Sequence, residues 1–382
     1  MKRLCALITA AVMTMLFSAK VFAVQTRPAA EDISAKAAVL IEASTGTVIW
    51  GKCENQRLPM ASTTKIMSTI LTLESGDLDT EFAADSEAVR TEGSSMGLRE
   101  GDIVSKRDLC IGMLLPSGND AANCAAVRVG GSMEGFADMM NAKASKLGMT
   151  STHFVTPSGL HDDNHYSTAA DMALLTSYAL KNPDFREICS SKTMKLRFGN
   201  PPFDRWLTNT NKLLSKYEGC IGVKTGFTDE AGRCLVSAAE KNGVTLICVT
   251  LNAPDDWNDH AKLFDYGFGV TESVNTGSKT YSCAAVGGGS DSISLTTARD
   301  ITVPKINGKT ADITFTADVP QRVYAPVSKG ETLGLLTVRS GGRIIDEIPL
   351  IAAEDLLQKG GEGYEPTLLS QAIDFIKELL FK

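Results

Sequence analysis

The chain of 382 residues is 43% hydrophobic and 22% charged, with 33 glycines and 13 prolines, enough apolar content for the cores of two or three domains. That composition excludes a disordered tail, a collagen-like rod and a multi-span membrane protein. Thirty-eight basic against 45 acidic residues leave a net charge of −7, without the basic footprint of a nucleic-acid-binding protein, and no nucleic-acid partner is expected.

In chain order, Lys2 and Arg3 precede an apolar run over residues 4–17 and then Val21-Phe22-Ala23, the order of a secretory signal cleaved after Ala23. The run is shorter than the ~20 residues that span a bilayer. Residues 1–23 are therefore read as a signal peptide and the remainder as exported. Outside it lie Cys53, Cys110, Cys124, Cys189, Cys220, Cys234, Cys248 and Cys283. They are scattered, with no C-x-x-C to suggest zinc, and their pairing stays open.

Residues 37–41 and 47–50 flank Ser44-Thr45-Gly46 and read as a hairpin. Ile66, Met67, Ile70, Leu71 and Leu73 have helical spacing within residues 62–78. Further helix is expected over 107–149, punctuated by Pro116, Ser117-Gly118 and Gly130-Gly131. Thr168-Ala169-Ala170-Asp171 has the pattern of a capping box opening a helix through Leu180. Strands over 234–239 and 244–251 meet at Asn242-Gly243, the strongest short hairpin signal. Strands, helices and strands again predict an α+β domain over 24–275 built on an antiparallel sheet. Short alternating runs at 293–295, 301–303, 313–315, 333–338 and 344–350 predict a small all-β domain over 276–356. Residues 357–366 read as a Gly-rich linker. In 367–382, Leu368, Leu369, Ala372, Ile373, Phe375, Ile376, Leu379 and Leu380 share one helical face, and Asp374, Lys377, Glu378 and Lys382 lie opposite. Such a helix is too short and charged to span, and its wide apolar face favours lying on a membrane surface.

Three motifs carry chemistry. Ser62-Thr63-Thr64-Lys65 sets a hydroxyl and an amine three apart on a helix start, where the lysine can deprotonate the serine if its pKa is depressed. Ser117-Gly118-Asn119 offers a hydroxyl and a carboxamide on a turn. Lys224-Thr225-Gly226 places a cation and a hydroxyl on a strand, with a glycine leaving room for a substrate backbone. Alone, each also fits an ordinary cap, turn or surface strand. Among the histidines, His161 and His165 have ligand-like spacing but flank Asp162-Asp163-Asn164 in a loop, so no metal is expected. None of the four sits where a Ser-His-Asp triad needs it, and no phosphate-loop or dinucleotide motif calls for a cofactor.

Together, S-x-x-K, Ser-x-Asn and K-T-G in this order resemble the motif set of active-site serine penicillin-recognising enzymes. Residues 93–98, 114–122, 140–143, 147–149, 159–161 and 222–232 extend the likeness to the low-molecular-mass penicillin-binding proteins that are D-alanyl-D-alanine carboxypeptidases. It covers roughly residues 30–270, and the β-domain and terminal amphipathic helix match the same family's layout. The resemblance implies a β-lactamase/transpeptidase-like fold. Ser62 would be the nucleophile and acyl-enzyme site, Lys65 its general base, Ser117 a proton relay and Asn119 an orienting group. Lys224 and Thr225 would hold the substrate's terminal carboxylate, with Lys224 also lowering the Lys65 pKa, and Gly226 would belong to the same substrate-binding strand. The backbone N–H groups of Ser62 and Phe227 would form the oxyanion hole. It further implies removal of the terminal D-alanine from peptidoglycan stem peptides, inhibition by β-lactams, no cofactor, and residence at the outer face of the cytoplasmic membrane. Phe227 stands where some relatives have histidine; the oxyanion contact is through the backbone and is unaffected. Rival readings are a D,D-endopeptidase, a non-catalytic penicillin or peptidoglycan sensor, and a β-lactamase, whose deacylating E-x-x-L-N arrangement is missing between the second and third motifs.

Overall fold

The computed structural model describes residues 26–359. The segments expected to be a signal peptide and a terminal amphipathic helix, and most of the expected linker, lie outside the described residues. Among the described residues no helix is long and apolar enough to cross a membrane. The chain divides into two compact units, the first running through Glu272 and including Ile306–Gly308, the second from Ser273 to Lys305 and from Lys309 onward.

The first unit is built on an antiparallel five-stranded sheet. Its strands are β1 (Ala37–Glu42) and β2 (Val48–Lys52) from the N-terminal hairpin, with β7 (Cys220–Thr228), β8 (Gly232–Lys241) and β9 (Val244–Leu251). The spatial order is β2-β1-β9-β8-β7. The β8–β9 turn follows from its two residues: Asn242 and Gly243 both have positive φ, 51° and 75°, as a two-residue turn matched to strand twist requires. Lys241 and Val244 close the ladder on either side.

Both faces of this sheet are covered, which explains why its strands read as unbroken apolar runs rather than alternating ones. Val39, Ile41, Val236, Ile247 and Val249 face a helical core containing Ile66, Ile70, Leu109, Met113 and Ala122. Ala38, Leu40, Leu246 and Cys248 face a second core with Leu263 and Phe264. The helices of the first layer are α1 (Lys65–Glu74), α2 (Lys106–Leu114), α3 (Asn119–Gly130), α4 (Met133–Leu147), α5 (Ala169–Ala179) and α6 (Pro183–Ser190). After the short α7 (Leu213–Lys216), α8 (Asp256–Val270) supplies Leu263 and Phe264 to the opposite face. Two small hairpins complete the unit, β3 (Glu81–Ala83) with β4 (Ile103–Ser105) and β5 (Thr193–Gly199) with β6 (Pro202–Thr208).

Two local expectations need correction. The helix expected over 62–78 is a 3-10 turn, Ala61–Thr64, running into α1, which ends at Glu74 just before Gly76 at φ 69°. The capping box at Thr168 is half-formed: its hydroxyl accepts from the Asp171 N–H, but the Asp171 carboxylate accepts from Ser151 N and Thr152 Oγ1 instead of returning to the cap.

The second unit is all-β. A six-stranded sheet has the order Ile313–Asp318, Thr332–Ser340, Arg343–Ala352, Ser292–Thr297, Thr280–Val286, Arg322–Tyr324. Alternate residues such as Ile293, Leu295, Leu336, Val338, Ile348 and Leu350 form its core, the one-sided burial that gives period-two strands their pattern. Thr302–Ile306 belongs to a separate three-stranded sheet.

Candidate active site

Residues 61–73 are buried throughout except Ser62, which opens onto a cleft. The 3-10 turn sets Ser62 one turn ahead of Lys65, and the Lys65 side chain is fully buried. Its Nζ lies 2.9 Å from Ser62 Oγ, 2.7 Å from Asn119 Oδ1 and 2.6 Å from the Ser158 carbonyl. Burial drives the Lys65 pKa well below the ordinary lysine value; the nearby Lys224 charge lowers it further, and the Asp120 carboxylate opposes both.

The second wall is the turn ahead of α3. Ser117 takes a left-handed backbone, φ 67°, and lines the cleft beside Asn119. The Asn119 amide is oriented from both ends, since its Nδ2 donates to the Glu92 carbonyl at 2.7 Å while Oδ1 accepts from Lys65. Asp120, buried next in sequence, accepts from Ser95 Oγ at 2.5 Å and from the N–H groups of Met96, Gly97 and Leu98 at 2.9–3.0 Å. This carboxylate clamps the 94–98 loop onto the turn.

The third wall is β7. It passes Ser62 at Gly226, where a Cβ would sit 3.1 Å from Ser62 N, Thr63 N and the Met60 carbonyl, so a side chain there fits only if this backbone shifts. Lys224 is buried behind this wall, its Nζ donating to the Thr225 carbonyl at 2.8 Å, and burial lowers its pKa to about 7. Thr225 faces the cleft and pairs with Thr210 Oγ1 at 2.7 Å. Phe227 projects beyond it, 62% exposed.

Ser62, Ser117, Asn119, Thr225, Gly226 and Phe227 thus line one cleft of about 570 Å³, with the Lys65 and Lys224 side chains buried behind its walls. Sequence reasoning missed several neighbours. The Ser158 carbonyl has no side-chain signature and comes from an irregular loop. Asp120 was legible as the acid following the Ser-x-Asn motif. Arg233, Asp256 and Trp257 also line the cleft: Arg233 Nη2 bonds both Asp256 oxygens at 2.7 and 2.9 Å, and its guanidinium stacks over the Trp257 ring. Their 23-residue separation hid that cluster.

Comparison with known proteins decides the family. A model of the peptidase family described as D-alanyl-D-alanine carboxypeptidase matches residues 24–255, and one for the C-terminal domain of penicillin-binding protein 5 matches 268–358. The chain belongs to the serine-type D-alanyl-D-alanine carboxypeptidase family. This carboxypeptidase is 34% identical over 376 residues to the D-alanyl-D-alanine carboxypeptidase DacF of Bacillus subtilis, covering 94% of this chain and 96% of that one. It is 34% identical over 255 residues to DacB2 of Mycobacterium tuberculosis, covering 65% and 87%. Among solved structures, the carboxypeptidase DacD of Francisella tularensis superposes with a TM-score of 0.62 at 26% identity, covering 88% of this chain and 96% of that one. The Streptomyces K15 DD-transpeptidase gives 0.61 at 33%, covering 64% and 100%. The carboxypeptidase therefore has the penicillin-binding/transpeptidase fold followed by an all-β domain.

Proposed function

We propose that the enzyme removes the terminal D-alanine of peptidoglycan stem pentapeptides through an acyl-enzyme on Ser62, and that β-lactams acylate the same hydroxyl. The arrangement around Lys65 carries this reading. A neutral lysine amine has two N–H bonds and one lone pair. The carbonyl oxygens of Asn119 and Ser158 take the two N–H bonds, which leaves the lone pair for the Ser62 hydroxyl 2.9 Å away. Burial and the Lys224 charge both push the amine toward that neutral form.

Ser62 Oγ attacks the carbonyl between the two D-alanines and passes its proton to Lys65. The oxyanion is received by the backbone N–H groups of Ser62 and Phe227, each donor contributing on the order of 3 kcal/mol. The proton returns through Ser117 to the departing D-alanine amine, leaving a Ser62 ester that water hydrolyses. Asn119 fixes the lysine amine and offers its amide to the substrate. Thr225 and Gly226 meet the terminal carboxylate, with the Lys224 charge behind them and the Arg233 guanidinium on the same cleft. Export by the signal and attachment through the 367–382 helix to the outer face of the cytoplasmic membrane complete the reading. Intact-mass measurement after benzylpenicillin treatment, with peptide mapping, tests it. A single adduct on Ser62, absent from Ser62→Ala, is expected; an adduct elsewhere, or none, overturns it.

A further inference from the structure

His165, whose spacing from His161 resembled a metal pair, has both ring nitrogens committed within the protein. Nδ1 faces two backbone donors, Val155 N–H at 2.9 Å and Thr156 N–H at 3.2 Å, and must therefore be the unprotonated acceptor. The ring proton then sits on Nε2, which lies 2.8 Å from Thr64 Oγ1. Since Thr64 Oγ1 accepts that proton, its own hydrogen is free to donate to the Ala61 carbonyl, 2.8 Å away. Donors and acceptors match in one direction only: loop N–H to imidazole, imidazole to threonine, threonine to Ala61.

Each end of this relay holds backbone next to one of the proposed catalytic groups. Ala61 immediately precedes Ser62 and holds a left-handed backbone at φ 46°, a strained conformation for a residue with a Cβ that its surroundings must enforce. The Thr64 hydroxyl pins its carbonyl. At the other end, the loop held by Nδ1 continues through Pro157 to Ser158, whose carbonyl is one of the three partners of Lys65. Gly159 of the same loop abuts the Ala61 carbonyl directly. The His165 ring is 3% exposed and packs edge-on against Phe154, so it has no room for alternative orientations. Burial lowers its pKa to about 4, which keeps the neutral tautomer in place through the neutral range.

We infer that His165, acting through Thr64, is a positioning residue that locks the Ser62 turn and the Ser158 carbonyl into one register, so that nucleophile and base stay aligned. The inference rests on the proposed role of Ser62 and Lys65.

Stopped-flow acylation by a fluorescent penicillin, together with kcat and KM on a D-Ala-D-Ala peptide, tests it on four variants of the full chain. Thr64→Val removes the hydroxyl at nearly constant shape, Thr64→Ser restores it, His165→Asn keeps an acceptor near Nδ1 but loses the Nε2 donor, and His165→Gln keeps an N–H near Nε2. Thr64→Val and His165→Asn are expected to lower acylation and kcat about 10- to 100-fold, the scale of a misaligned reacting pair, with KM changed less than about threefold. Thr64→Ser stays within about threefold of wild type, and His165→Gln acylates faster than His165→Asn. Nitrogen-15 NMR of the wild type is expected to show a neutral ring protonated on Nε2. Folded Thr64→Val and His165→Asn proteins that acylate at the wild-type rate overturn the inference, as does a ring protonated on Nδ1. A wild type that no penicillin acylates overturns the functional reading, and the inference with it.

Discussion

Replacing Gly159 by alanine tests how tightly the loop presses on the nucleophile turn. At φ 81° an added Cβ would stand 2.0 Å from the Ala61 carbonyl oxygen and 2.9 Å from Thr64 Oγ1. Neither is the free end of a flexible side chain, so the loop or the turn must move. Gly148, the C-cap of α4, provides the control: its φ is 80°, yet nothing lies within 4 Å of its added Cβ. Both substitutions pay the left-handed backbone cost of about 1–2 kcal/mol. Gly159→Ala adds an overpacking cost of about 1–3 kcal/mol, which for a domain of this size separates the two melting temperatures by roughly 2–12 °C. Differential scanning calorimetry measures that gap, and D-alanine release measures the functional half. Gly159→Ala should lose at least about tenfold in kcat because Ser158 and Ala61 shift together, while Gly148→Ala retains wild-type activity below its Tm. Equal melting temperatures for the two variants, or full activity in Gly159→Ala, would refute the contact.

The charges around Lys65 make two opposite predictions for the pH profile. As the proposed general base Lys65 must act as the neutral amine, so whatever raises its pKa moves the acid limb of kcat/KM to higher pH. Lys224→Met removes a cation that lowers the Lys65 pKa, and the limb should move up; a limb that stays or moves down contradicts the assignment. Asp120→Asn removes the carboxylate that raises it, and the limb should move down, with some loss of stability from the weakened clamp on residues 96–98. Among the described cysteines no disulfide is formed, Cys53 is exposed, and Cys110, Cys124, Cys189, Cys234, Cys248 and Cys283 are buried. Burial also holds the Cys124 thiol up at about 12 and that of half-buried Cys220 at about 11. A thiol reagent on the native protein should therefore find one fast site at Cys53, with the rest reacting after denaturation; two or more fast thiols would contradict this packing.

Much of this architecture was legible where chemistry and local pattern coincide. Asn242-Gly243 marked its hairpin because few residue pairs tolerate two positive φ values. The β-domain strands showed their period because one face is wet, whereas β1, β8 and β9, covered on both faces, gave only apolar runs. Ser62, Ser117, Asn119 and Thr225, which line one cleft, were legible as candidates because each motif joins neighbours that share one local element. Groups contributed by the tertiary fold were hidden. The Ser158 carbonyl is a backbone atom that any residue could supply, and Arg233 meets Asp256 and Trp257 only after β8 and β9 have crossed the sheet. His161 and His165 have ligand-like spacing but flank a loop, and what the sequence did not reveal is that His165 turns inward to Thr64 and the Val155 N–H. At Thr168 the cap itself was legible, but the returning half of the box was not, because the Asp171 carboxylate accepts across the loop from Ser151 and Thr152.

The central claim is tested most directly by measuring free D-alanine released from a synthetic peptide ending in D-Ala-D-Ala, for wild type and for Ser62→Ala. Turnover by the wild type and its loss in a Ser62→Ala protein of unchanged Tm is the predicted result. Release that persists in Ser62→Ala, or a wild type that releases none, would contradict it.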